Sequence, residues 1–406
     1  MLIGMHRWTY IWLASLTVAS ACGFEVNPGS ATPDDAARDS STTDGMVMLC
    51  PWSFTPEYFD PCPDPKDGPV IDLLAGKSVL NTDDGTLMNG LTAIAIESEV
   101  VADLRIVWTR GLHIGPDATL RAIGSLPVVF VATGAITIEG TLDGAGHASS
   151  PLIGDNPAGA NPSECGDQSV GGAGGGQPCA AEGASGGGGG SFAGMGGQGG
   201  GGGNGRNCGA LTGPVPGGTG GAIVSLRPSN LRGGCPGGFG GLSAQGGASS
   251  GRGGSGGGAI ALIAREALAI SGKVNVGGAG GGGGTARSGG GGGGSGGMIV
   301  LEGRTVTVSG EGRVSANGGG GGGGCDGNMG DKGNDGANGV GDANGGMGEG
   351  QGTDGGNGGA RNDAADAADI SGRGGGGGGG GVGFVRIFTK DGATASDTSV
   401  SPMPSP

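Results

Sequence analysis

Ala259–Val276 reads AIALIAREALAISGKVNV, and its spacing decides the fold. Leu262 of the pair Ile260-x-Leu262 is followed six residues later by Leu268, which opens the run Leu268-x-Ile270-x-Gly272-x-Val274-x-Val276. Alternating apolar residues mark half-buried strands, and a recurring unit of about 20 residues with three such strands marks a solenoid coil. The unit recurs. Val128-x-Phe130 leads to Ile136-x-Ile138-x-Gly140-x-Leu142, and Met298-x-Val300 leads to Val306-x-Val308-x-Gly310 and Val314. Upstream, Leu104-x-Ile106 leads to Leu112-x-Ile114 and Leu120; a degenerate copy runs from Ile223 through Leu231 to Leu242. Val382 to Phe388 begins a copy that the sequence does not finish.

The expected fold is therefore all-β: a parallel, right-handed β-helix or solenoid, each coil about 4.8 Å from the last. Ile136, Leu268 and Val306 should stack in one inward column. Gly140, Gly272 and Gly310 should mark a corner that needs positive φ or close backbone approach.

Glycine separates the copies. Of 406 residues 110 are glycine, without the sustained triplet period of collagen. The tracts read as insertions at 147–219, 246–257, 277–296 and 318–381, all leaving from one corner of the coils. Chains without side chains can pack backbone to backbone as extended helices of three residues per turn. Partial order of the tracts against the coils is the expectation.

The ends read as an export and anchoring system. Residues 1–21 carry Arg7 and a short apolar run, the pattern of a signal peptide. Ala19-Ser20-Ala21-Cys22 resembles a bacterial lipobox, which makes Cys22 the expected lipidation site; an ordinary signal peptide cut at a small residue is the alternative. Gly23 implies, by the same resemblance, sorting to the outer membrane or cell surface. Residues 22–49 read as an acidic disordered tether, 50–103 as an N-terminal cap, 104–390 as the coils and 391–406 as a disordered tail. The formal charge of −15 excludes a nucleic-acid partner, which would need a basic face. It suits solubility at a surface and divalent cations.

An exported chain can keep disulfides. Cys50 and Cys62 flank an aromatic stretch and form the favoured pair; Cys165 with Cys179 and Cys208 with Cys235 are weaker pairings, leaving Cys325 odd.

Candidate chemistry is sparse. Asn81-Thr82-Asp83-Asp84 shares short elements with pectin-cleaving β-helices, but here they are fused into one tetrapeptide that reads as a turn. Asp103, Asp117 and Asp143 are the carboxylates near coil ends that could converge. His113 should point to solvent, and His147 lies in a loop. The acidic glycine loop, with Asp326, Asp331, Asp335 and Asp342, is the candidate Ca²⁺ site, although a solvated loop is the plainer reading.

The lipobox, the segment Cys50-Pro-Trp-Ser-Phe-Thr-Pro56, the turn Asn81-Thr-Asp-Asp-Gly-Thr86 and the glycine-interrupted coils together resemble glycine-rich β-helical lipoproteins of myxobacteria, loosely "PE-PGRS-like" although no PE domain is present. The resemblance covers most of residues 5–390. It implies an envelope habitat and a coiled β fold, and carries no catalytic residues or cofactor. The expected function is a non-catalytic cell-surface lipoprotein with a structural or adhesive role, held to the membrane by its N-terminal lipid. A glycan- or Ca²⁺-binding module acting on extracellular polysaccharide is the alternative, and a polysaccharide-cleaving enzyme the second.

Overall fold

Alternating Val, Ile and Leu residues build one large, mostly parallel sheet. The computed structural model describes residues 52, 54–147, 156–176, 183–203, 215–224, 228–245, 247–361, 364–368, 373–395 and 399–405. Residues 1–49, on which the expected signal, the expected lipidation site Cys22 and the expected tether fall, lie outside this set, as do Cys50, Cys179 and Cys208.

In chain order the strands are β1 Ile71–Asn81, β2 Thr86–Asn89, β3 Thr92–Ile94, β4 Glu97–Val101, β5 Leu104–Thr109, β6 Leu112–Ile123, β7 Val128–Ala132, β8 Ile136–Ile138 and β9 Thr141–Asp143. After a long glycine insertion come β10 Ala259–Ile270, β11 Lys273–Asn275, β12 Met298–Val308, β13 Arg313–Ser315, β14 Phe384–Thr389, β15 Ala393–Thr394 and β16 Val400–Ser401. Among the described residues the only helix is a short turn near Ser163–Ser169.

Strands stack in parallel along three rows: β5-β7-β10-β12-β14; β1-β6-β8-β10-β12-β15; and β6-β9-β11-β13-β16. The expected inward column is present and longer than expected. Ile71, Leu112, Ile136, Leu268 and Val306 are consecutive register partners, all buried in one core. Parallel pairing thus already includes β1, inside the stretch read as a cap. The antiparallel strands β2 and β3 extend from β1, and β4 pairs antiparallel with β5.

The first-row register corrects the sequence alignment by one residue in two copies. Val107, Phe130, Leu262, Leu301 and Ile387 share a column, so Val107 and Leu301, not Ile106 and Val300, match Leu262. The reason is two-sided burial. In β7 every residue is buried, and Ile106, Val107 and Trp108 of β5 are all buried, so alternation cannot report which face is inward. The corner glycines divide as well. A Cβ on Gly272 would lie 2.0 Å from the Gly140 carbonyl oxygen, and Gly312 follows in that stack through its neighbour, Arg313 N–H donating to Gly272 O. Gly310 instead supplies a positive φ of 61°.

Two further expectations fail. Among the described residues of 223–242 there is no strand; of the three apolar residues that suggested a copy, Ile223 and Leu242 are exposed and only Leu231 is buried. The final copy is completed, because β15 and β16 pair with β12 and β13 inside the supposed tail, and Val400 is buried.

The glycine tracts are ordered against one another. In Gly289–Gly297 successive N–H groups address three neighbours in rotation. Gly289, Gly292 and Ser295 donate to Gly241, Gly238 and Cys235; Gly290, Gly293 and Gly296 to Gly375, Gly378 and Gly381; Gly291, Gly294 and Gly297 to Gly282, Ala279 and Val276. Its carbonyls accept from three more tracts, through Gly187 and Gly190, Gly251 and Gly254, and Gly319 and Gly322. A period of three with six neighbours is the packing of extended threefold helices side by side. A Cβ on Gly292 would sit 1.9 Å from the Gly188 carbonyl oxygen, so no other residue fits. These hydrogen bonds answer the demand that every buried backbone group be paired.

Each returning tract runs directly into a first-row strand: Gly258 into β10, Gly297 into β12 and Gly383 into β14. The row therefore continues from sheet to bundle without a break in chain direction.

Candidate functional site

The outer face of the first row is apolar and is covered by residues from two distant segments. Trp52, with Phe54, Tyr58 and Phe59, packs there together with Phe192 and Leu231 of the glycine insertion. The aromatic stretch is a strap over the row, reaching as far as the last strands.

Under the strap lies Glu302 of β12, with no exposed surface. The Glu57 N–H donates to both its carboxylate oxygens, at 3.1 and 3.3 Å. Burial pushes the Glu302 carboxyl up to about 7 despite that hydrogen bond. Arg386 of β14 donates to Glu57 Oε1 at 3.0 Å and to the Tyr58 hydroxyl, and stacks on the Tyr58 and Phe388 rings. Tyr58 in turn donates to the Pro228 carbonyl at 3.0 Å. A raised carboxyl beside a second carboxylate resembles an acid/base pair. Here, however, Glu302 is sealed beneath the strap and its oxygens are engaged by backbone, so the group clamps the strap.

Beside the strap opens a pocket of about 760 Å³, between Tyr58, the β4–β5 turn at Asp103, the segment Ser163–Glu164 and the segment Ser229–Arg232. Ala102 and Asp103 both have positive φ, which makes this turn tight and projects it at the pocket rim. Arg232 is held by the Phe192 ring, 5.3 Å from its guanidinium carbon, and Nη2 lies 3.7 and 3.8 Å from the sulfurs of Cys165 and Cys235. Its buried Nε has no hydrogen-bond partner, and burial pulls its pKa down, against the charge of Glu164.

Cys165 is disulfide-bonded to Cys235, which corrects the expected pairings with Cys179 and Cys208. The partners stand 70 residues apart in sequence, and the folding-back of the glycine tracts, with Asn161 N–H donating to Gly234 O, brings them together. Cys62 is disulfide-bonded, whereas Cys50 lies outside the described residues. Cys325 is free and buried, and burial pushes its thiol pKa up.

The sequence-selected carboxylates do not gather. Asp143 is bound by Arg121 at 2.7 Å and by His147 at 3.1 Å; burial opposes its ionisation, yet the hydrogen bonds from His147 and the Ala145 N–H keep its pKa below the usual carboxylate value. His147 also reaches Asp335 at 3.3 Å, and the two carboxylates raise its pKa to about 9. It thereby ties the end of β9 to the acidic loop. Asp103 and Asp117 are exposed, on the β4–β5 turn and on β6. His113 is half-exposed between Asp72, 2.8 Å away, and Glu139, 3.4 Å away.

Asn81–Asp84 is a turn. Asp84 accepts from Thr86, which lowers its pKa, and Asp83 accepts from the Ser125 N–H and hydroxyl. In the acidic loop, Asp326 pairs with Arg287 and Arg373, while Asp335 accepts from the Gly280 N–H as well as facing His147. Asp331 and Asp342 are exposed. Among the described residues no three His, Cys, Asp or Glu side chains are grouped to hold a metal ion.

Sequence reasoning missed Glu302, Arg386 and Arg232. Each is a charge within an apolar or glycine-rich run, a signal that was available in the sequence. Comparison of the chain with protein-family models, with curated proteins and with solved structures found no match.

Proposed function

We propose that the chain is an exported, lipid-anchored, non-catalytic protein of the cell surface, with a structural or adhesive role. Its parallel rows would wind as a right-handed β-solenoid, and the glycine bundle would stiffen the side from which the loops project. The observation that carries this reading is where the charged groups are spent. Glu302, Asp143, His147 and Asp326 each tie one segment to another, and the glycine tracts are locked through their backbones. Such a molecule is a rigid display platform. The lipobox-like Cys22, the acidic tether and the resemblance to glycine-rich lipoproteins of myxobacteria support the anchor.

Expression of the full chain in a Gram-negative host with labelled palmitate tests the proposal. Label should enter the wild type, which should fractionate with the outer membrane, and Cys22→Ser should lose both properties. An unlabelled, soluble wild type would overturn the anchor. Release of new reducing ends from envelope or matrix polysaccharide by the purified chain would overturn the non-catalytic reading.

A further inference from the structure

We infer that the pocket beside the strap binds an acidic saccharide, with Arg232 receiving its carboxylate. This goes beyond the scaffold reading and does not depend on the lipid anchor.

The argument starts from pairing. Among the described residues, Arg121, Arg287, Arg304, Arg313, Arg373 and Arg386 form ion pairs with carboxylates. Arg105 donates to the Thr82 and Asp83 carbonyls, and Arg110, Arg252 and Arg265 are exposed to solvent, whereas the partly buried Arg232 has neither an ion pair nor a carbonyl partner. Its protein contacts are two sulfurs and an aromatic ring, which hold the guanidinium in place without neutralising it. Glu164, on the same pocket wall, acts on Arg232 without forming an ion pair with it. A partly buried cation so incompletely offset is unfavourable, and an anion in contact with it relieves the cost. The Cys165–Cys235 bond fixes the contacts that orient the side chain, so the position is prepared before any ligand arrives.

The rest of the wall selects the remainder of the ligand. An ionised carboxylate accepts hydrogen bonds and donates none, so a ligand must bring donors to Asp103 and Glu164. Ser163 and Asn230 can donate and accept, and Tyr58 borders the opening. A ligand rich in hydroxyl groups that carries one carboxylate meets both demands, and a sugar acid is such a ligand. At about 760 Å³ the pocket falls in the range of small-molecule sites, with room for a short oligosaccharide.

Titration calorimetry on the full chain, with its disulfides intact, provides the test. Trigalacturonate is the probe, a neutral galactose trisaccharide the control for charge, and glycine the control for a simple zwitterion. Trigalacturonate should bind saturably, and the neutral sugar at least about tenfold more weakly, the scale of one charged hydrogen bond. Arg232→Gln should lose at least that factor, and Arg232→Lys should recover part of it. Equal affinity for the neutral sugar, preference for glycine, or no saturable binding of trigalacturonate would each overturn the inference. Should Arg232→Gln fail to fold, the Arg232 Nε–H signal of the wild type decides: trigalacturonate must shift it, and an unmoved signal under saturating ligand refutes the assignment.

Discussion

Along the parallel first row Glu302 shares a column with Trp108, Val131, Ile263 and Phe388, and it is the only carboxylate among these five. Its carboxyl titrates at about 7 in the fold, against 4.5 ordinarily. Between these values the folded chain keeps a proton that the unfolded chain has released. The Glu302 contribution to stability should therefore fall as pH rises from 4.5 to about 7 and then level off, by about 3 kcal/mol in all. Above pH 6.5 the raised His147 adds a separate decline, so the range from 4.5 to 6.5 isolates Glu302. Denaturant midpoints across this range should show that slope in the wild type. Glu302→Gln should lack it and be the more stable protein at pH 8. A slope that persists in Glu302→Gln would place the titrating group elsewhere. The charge itself is visible in MIVLEGRTVTV, but the strap that buries it arrives from residue 57, too far away in sequence to be read.

At the scale of elements, threefold helices have no side chains to interdigitate, so specificity comes from backbone contact. Gly292→Ala places a methyl 1.9 Å from a carbonyl oxygen in the middle of the bundle and should destabilise by about 3 kcal/mol or more. Gly327→Ala meets nothing within 4 Å and should change stability by less than about 0.5 kcal/mol. Thermal melts of the two variants compare them directly; similar losses would mean that the tracts are not packed as described. Strand existence was legible from alternation in Leu268–Ile270 and Ile136–Ile138, which face the core on one side only. Register in the first row was not, because β7 and the first half of β10 are buried on both faces.

For the whole molecule, the balance of forces differs between its parts. The sheet is stabilised by apolar burial, the bundle by peptide hydrogen bonds that offset the large entropy loss of ordering glycine. Exposure of peptide groups on unfolding lowers heat capacity where apolar exposure raises it. The heat-capacity increment of the full chain should therefore fall clearly below roughly 12 cal/mol/K per residue. Scanning calorimetry at several pH values measures it, and an ordinary increment would imply that the glycine tracts contribute little ordered structure.

By itself, the sequence determined that the protein is all-β, that its Ile and Leu residues stack in a column, and that glycine tracts deliver the chain to strands of the first row. These properties follow from local spacing, since alternation and the lack of a side chain act over a few residues. Tertiary structure alone decided the register of the two-sided row, the Cys165–Cys235 pairing, the completed final copy and the pocket at Arg232. Each of these depends on which distant surface covers a residue, and a periodic pattern carries no information about what lies across from it.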